Sequence, residues 1–228
     1  MRFWPLKGKL RLLGIPDASY KNNEDKSSQR AHVIFLAEGR KDSAPALTRG
    51  TLVDYESHKI TVTTQSTTVA ELHAFMKCFG TCLFLKGLWA DLSGESAEIH
   101  MRTDANNLVT TAKTTHAPEQ KETIHLIQML RKESISGKID DLAHVSSADC
   151  LSDCLTKHSA KPDAIIKAVE TGNLQNIDKH PPFRTLLKHK AYLGKWIAGN
   201  LKKPLEVLSF LVEDVTYVVS HAYTSMFC

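Results

Sequence analysis

No apolar run in the sequence approaches the ~20 residues that a membrane-spanning helix needs. The opening Met1-Arg2-Phe3-Trp4-Pro5-Leu6-Lys7 also lacks the apolar stretch of a signal peptide. The expected setting is therefore intracellular, in cytoplasm or nucleus, with no membrane partner. Cysteine is scarce: five residues, Cys78, Cys82, Cys150, Cys154 and Cys228, an odd set without CxxC spacing. That excludes a disulfide framework as the expected source of stability, and the two i,i+4 pairs are more widely spaced than structural zinc ligands usually are. Glycine and proline are also few, 11 and 8, while 42% of residues are apolar and 24% charged, which excludes a fibrous or disordered chain. No internal repeat is present.

At 228 residues the chain has room for one well-cored domain and an appendage. The net charge is only +4, but seven Lys/Arg against four acids fall in residues 175–228. A basic extension of this kind lends sequence-independent affinity for phosphates or forms a solvated helical face. The expected division is 1–9 as a remnant of a linker, 10–174 as the folded domain, and 175–228 as a basic C-terminal extension.

The first half reads as strands at Leu10–Ile15, Ala31–Leu36 and Gly50–Val62, separated by Asn-, Asp-, Gly- and Pro-rich turns, which implies an antiparallel meander. The period then changes. Val69, Leu72, Met76, Phe79 and Leu83 form one stripe of a helix running to about Leu88, and Phe75, Cys78, Cys82 and Leu85 widen it, so burial on more than one side is expected. Further on, a strand ends at Asp104, and helices are expected over Ala105–Lys113 and Glu119–Ser134. A short strand follows at Asp141–Val145, then helices over Ala148–His158 and Pro162–Thr171, the last closed by Gly172. The order βββαβααβα defines an α/β domain with a mixed sheet. Leu186–Asn200 has helical character, and Leu205–Val219 is β-branched with no clear partner.

Four acids sit at element ends: Asp17 after the first strand, Glu71 in the long helix, Asp104 after the fourth strand, and Asp153 in a late helix. Each has a structural alternative. Asp17 fits a turn, Asp104 fits an N-cap, and Thr68-Val69-Ala70-Glu71 fits a capping box. Glu71, however, shares a helix face with Phe75, Cys78 and Cys82, where an uncompensated charge is costly and a bound cation would offset the cost. Asp149 and Asp153 lie four apart, a like-charge pair that calls for separate tasks; Asp149 is read as a helix-start residue and Asp153 as the ligand.

Five segments in order resemble the ribonuclease H domain of copia-type LTR retrotransposon Pol polyproteins, over about residues 10–158. They are Ile15-Pro16-Asp17-Ala18-Ser19, Asp25 to Leu36, Ser66 to Leu72, Thr103-Asp104-Ala105-Asn106, and Val145 to Lys157. The resemblance implies a ribonuclease H-like fold: a five-stranded mixed sheet, an antiparallel meander plus parallel strands, flanked by helices. It also implies hydrolysis of the RNA strand of an RNA–DNA hybrid, with Asp17, Glu71, Asp104 and Asp153 holding two Mg²⁺ ions, Mn²⁺ being an alternative. Ser19, Asn106 and Asn107 are candidates for contacting the substrate, and His144 for an accessory role.

Departures from the pattern are local. Pro16 removes a backbone donor from a central strand, so a bulge or altered strand end is expected there. Ala105 replaces a polar side chain, and Lys121-Glu122-Thr123-Ile124 lacks the family's histidine. The family's reverse transcriptase is the expected partner in a parent polyprotein. No Tyr-x-Asp-Asp polymerase motif occurs in this chain, which reads as a detached fragment or standalone derivative. The competing expectations are an inactive nucleic-acid-binding module of the same fold and a transposon remnant without function.

Overall fold

The computed structural model describes residues 3–39, 48–113, 123–157 and 159–177. The chain divides into two units, Met1–Thr185 and Leu186–Cys228, and every described residue belongs to the first. The segments Leu186–Asn200 and Leu205–Val219, nearly all of the basic extension, and the start of the helix expected from Glu119 lie outside the described residues.

Five strands form one sheet in the order β3-β2-β1-β4-β5, with β1 Leu10–Ser19, β2 Gln29–Glu38, β3 Gly50–Lys59, β4 Glu98–Thr103 and β5 Asp141–His144. The first three make the antiparallel meander, and β4 and β5 add parallel to β1. This is the α/β mixed sheet that the ribonuclease H resemblance implies. Strand β1 is buried from Arg11 to Ser19, because both faces of the sheet are covered and a near-continuous apolar run is what such a strand needs.

Helix α1 (Thr67–Ser93), α2 (Asn106–Lys113) and α3 (Ile124–Ile135) cover one face, packing Leu72, Phe75, Leu108 and Leu130 with Leu12, Ile34, Ile99 and Met101 of the sheet. On the other face Val145, Leu151, Leu174 and Ile177, with Ala168 of α4 (Asp163–Thr171), pack with Leu13, Ile15, Val33 and Phe35.

Gly14 of β1 lies directly under two cysteines of α1. A Cβ built there would fall 2.9 Å from Cys78 Sγ and Met101 Sδ, and 3.0 Å from Cys82 Sγ. Glycine is therefore required by close approach rather than by its backbone angles. The cysteine pairs also lie apart, with Cys78 and Cys82 in the core under α1 and Cys150 in the core of the opposite face.

Several expectations are corrected. Asp17 lies within β1, not after it, since the strand continues to Ser19. The β1–β2 register runs unbroken from Leu10↔Glu38 to Ser19↔Gln29, so Pro16 makes no bulge. Pairing with β4 spans Arg11 to Gly14, so Pro16 lies beyond it.

Helix α1 is capped by Ser66, whose hydroxyl accepts from the Val69 amide at 3.3 Å, so Thr68 and Glu71 do not form the capping box. The helix ends at Gly94 with φ 72°, a left-handed cap. Its buried residues run from Val69 to Cys82, whereas Phe84, Leu88 and Leu92 are exposed, so broad burial holds for the first half alone. By length and composition α1 would suffice to cross a membrane, which the count of apolar runs did not anticipate; half of the relevant window is buried in the domain. Of the helix expected over Ala148–His158, whose last residue lies outside the described residues, Ala148–Lys157 is not one helix. Two 3₁₀ turns, Ser147–Asp149 and Asp153–Leu155, replace it, which tightens the chain enough to present Asp153 and Thr156 together.

Candidate metal centre

Strands β1 and β4 are parallel neighbours, so acids at their carboxyl ends fall at the same edge of the sheet. Asp17 stands three residues beyond the last β1–β4 pair, and Asp104 follows β4 directly. Residues of a strand alternate between faces, so Asp17 shares the face of Leu13 and Ile15, on which Cys150 also packs. Glu71 approaches from α1, where Ala70 and Ala74 pack with Ala18 and Ile60. The Ala18 backbone amide donates to the Glu71 carboxylate.

Asp17 is 1% exposed and Glu71 7%. The Thr156 hydroxyl donates to Asp17 Oδ2, leaving Oδ1 buried without a partner. Glu71 Oε2 is likewise buried and unpartnered. Burial pushes Asp17 up to about 6, opposed by the Thr156 hydroxyl and the Lys157 cation. Burial, with the charges of Asp17 and then Asp104, pushes Glu71 up to about 9.

Asp104 Oδ2 accepts from Ser147 Oγ at 3.0 Å. Asp153 is paired with the Lys157 ammonium, and its charge reaches Asp17. The structure thus gathers Asp17, Glu71 and Asp104 within electrostatic reach of one another and places Asp153 beside Asp17. Asp149 stands apart, accepting from Ser146 Oγ at 2.8 Å in its own turn.

The donor set fits a hard divalent cation. Asp17, Asp104 and Cys150 each offer an atom within 4.8 Å of the others. Burial raises the Cys150 thiol, which keeps it protonated, so the available donors are carboxylate oxygens. Two buried oxygens without partners, surrounded by like charges, are what a bound cation would satisfy.

The remaining candidates are placed differently from one another. Ser19, two residues beyond Asp17 on the same face, is buried with its hydroxyl unpartnered. Asn106 is exposed at the start of α2. Asn107 is engaged in holding α2 to α1: its Nδ2 donates to Thr68 Oγ1 at 2.8 Å and its Oδ1 accepts from the Leu108 amide at 2.8 Å. His144 donates from Nε2 to the Asp104 carbonyl at 3.1 Å, which fixes it beside the centre. Thr156, Lys157 and Ser147 were not among the sequence candidates. Thr156 and Lys157 do end the last of the five resembling segments, and that was the signal available for them.

No family model matches the chain, and no curated protein matches it. Among solved structures it is similar to LC11-RNase H1 in complex with an RNA/DNA hybrid, at 13% identity and a TM-score of 0.45, over 68% of this chain and 99% of that one. RNase H1 of Halobacterium salinarum gives 16% identity and a TM-score of 0.41, over 69% and 99%. The PFV RNase H domain gives 12% and 0.39, over 75% and 96%. At these values the likeness carries no argument about chemistry, which rests on the carboxylates themselves.

Proposed function

We propose that this protein is a metal-dependent endonuclease that hydrolyses the RNA strand of RNA–DNA hybrids, derived from a copia-type retrotransposon. The observation that carries the reading is the pair of buried, unpartnered oxygens, Asp17 Oδ1 and Glu71 Oε2, set against Asp104 and Asp153. Asp17, Glu71, Asp104 and Asp153 would hold two Mg²⁺, or Mn²⁺, ions. When bound, such ions supply an activated water and stabilise the departing 3′ oxygen in an in-line displacement.

The chain's own contribution is positioning. Thr156 holds Asp17, Ser147 holds Asp104, and the Ala18 amide holds Glu71. Ser19 and Asn106 offer polar groups to the 2′-hydroxyls that distinguish RNA from DNA, and His144 an accessory group beside Asp104. Asn107 serves that recognition only if its tether to Thr68 opens. The five resembling segments support the retrotransposon origin, and with it a reverse transcriptase as partner, an intracellular setting, and residues 10–174 as the nuclease domain.

The test is cleavage of an end-labelled RNA–DNA hybrid with Mg²⁺. Activity is expected in the native chain and its loss in Asp104→Asn, with circular dichroism unchanged. Equal activity in the variant would overturn the assignment. One observation favours a second reading, an inactive hybrid-binding module: the Lys157 ammonium already neutralises Asp153. That reading expects hybrid binding without cleavage at any Mg²⁺ concentration.

A further inference from the structure

A groove of about 530 Å³ lies between the β2–β3 pair and the first half of α1. Its charged and histidine lining is Arg30 from β2, Glu56, His58 and Lys59 from β3, and His73 and Lys77 from α1. One carboxylate serves three cationic or basic groups: Glu56 stands 3.0 Å from Arg30, 3.7 Å from Lys77 and 3.9 Å from His58. Lys59 is paired with Asp25, outside the groove. Within the lining a single carboxylate, Glu56, thus serves both Arg30 and Lys77, whose summed charge exceeds its own. The Lys77 and His58 pairs are long and partly exposed and contribute little, so Lys77 can exchange partners at small cost, whereas Arg30 is held more closely.

The groove lies toward the end of the sheet where β1 carries Asp17. Ile60 lines it and packs against Ala18, Ala70 and Ala74. Ala18 follows Asp17, and Ala70 precedes Glu71, so this buried cluster joins the groove to the residues adjoining two of the carboxylates.

We propose that this groove binds backbone phosphates of the nucleic acid flanking the position at the metal centre, through Arg30 and Lys77 with Glu56 as the internal competitor. The proposal rests on the nuclease reading for the identity of the polyanion. The metal centre needs cations and repels phosphates until it holds them, whereas this neighbouring surface attracts phosphates without any ion. Phosphate contacts of this kind give affinity and register rather than sequence preference.

The experiment measures binding of a fluorescent 20-base-pair RNA–DNA hybrid to the full chain in the Asp104→Asn background with Mg²⁺, across a salt series. Arg30→Gln/Lys77→Gln is expected to weaken binding at least tenfold near 0.1 M salt and to lower the slope of log K against log salt by about 1 to 2. Glu56→Gln, which removes the competitor, is expected to tighten binding about threefold, a gain that misfolding cannot produce. Lys161→Gln/Lys167→Gln makes the same charge change at exposed positions in and beside α4, on the other face of the sheet, and should leave the slope unchanged.

If the parent binds the hybrid and Arg30→Gln/Lys77→Gln binds it equally well with the same slope, the groove proposal is overturned while the nuclease reading stands. If the parent binds no nucleic acid, the nuclease reading and the groove's assigned ligand both fail. A poly-glutamate probe retained by the parent and lost in Arg30→Gln/Lys77→Gln, with hybrid binding intact, would assign the groove to an acidic protein partner and overturn the proposal.

Discussion

Replacing Glu71 by Gln should stabilise the metal-free protein, which is unusual for a buried polar position. Glu71 is protonated in the fold up to about pH 9, against an ordinary value of 4.5, because burial and the charges of Asp17 and Asp104 oppose its ionisation. The raised value fixes the sign. The folded state binds the extra proton, so stability is full below pH 4.5 and falls as pH rises towards 9. At pH 7 the interval above 4.5 is about 2.5 pH units, which at about 1.36 kcal/mol per unit costs about 3 kcal/mol.

Glutamine carries no such linkage and retains an acceptor for the Ala18 amide. Glu71→Gln should therefore raise Tm at pH 7 in EDTA by roughly 6–12 °C, taking about 2–4 °C per kcal/mol for a domain of this size. At pH 5 the interval shrinks to about half a unit and the gain to about 0.7 kcal/mol. Saturating Mg²⁺ should raise the Tm of the native chain and close the gap, because the ion stabilises only the form that binds it. Differential scanning calorimetry at both pH values, with and without Mg²⁺, measures all four quantities. A variant no more stable than the native chain in EDTA at pH 7, or a difference that does not shrink at pH 5, would refute the argument.

Thr156→Val removes the hydroxyl that holds Asp17 Oδ2, so Asp17 should titrate higher still and Mg²⁺ affinity by isothermal calorimetry should fall about tenfold, as for other partners that orient metal ligands. Lys157→Gln removes a cation paired with Asp153; Mg²⁺ affinity should rise a few-fold at low ionic strength, and the gain should fade near 0.5 M salt. Gly14→Ala forces a Cβ against two cysteine sulfurs and Met101, so urea unfolding should show a loss of about 1–3 kcal/mol.

Much of the architecture was legible because the burial that shapes it leaves a periodic trace. The strand–helix order follows from changes of period, and the Gly172 stop is matched by its left-handed cap at φ 67°. What was not legible depended on contacts distant in sequence. Ser66 rather than Thr68 caps α1, a choice within the run Ser66-Thr67-Thr68 that local pattern does not make. The 3₁₀ turns at 147–155 accompany a contact of Thr156 with Asp17, 139 positions away, whereas an α-helix over Ala148–His158 was the locally reasonable expectation. Asp17 was placed after the first strand, with a bulge or altered strand end expected at Pro16, yet β1–β4 pairing ends before Pro16 and the strand continues on the β2 side. At the site, the acids could be named from motif and burial cost, whereas the groups that hold them, Thr156, Ser147 and the Ala18 amide, are set by packing.

The contact at Gly14 also sets a tolerance for the metal centre. Cys78 lies seven residues along α1 from Glu71, about two helical turns or roughly 10 Å. Those sulfurs seat on bare backbone at Gly14, so a side chain there is expected to push α1, and Glu71 with it, away from the strand that carries Asp17. The spacing of a charged centre would then be gauged by an uncharged contact remote from it. Drift at Gly14, Cys78 or Cys82 should accordingly surface as altered ion preference before it surfaces as loss of fold, because hard cations discriminate on tenths of an ångström in their oxygen distances.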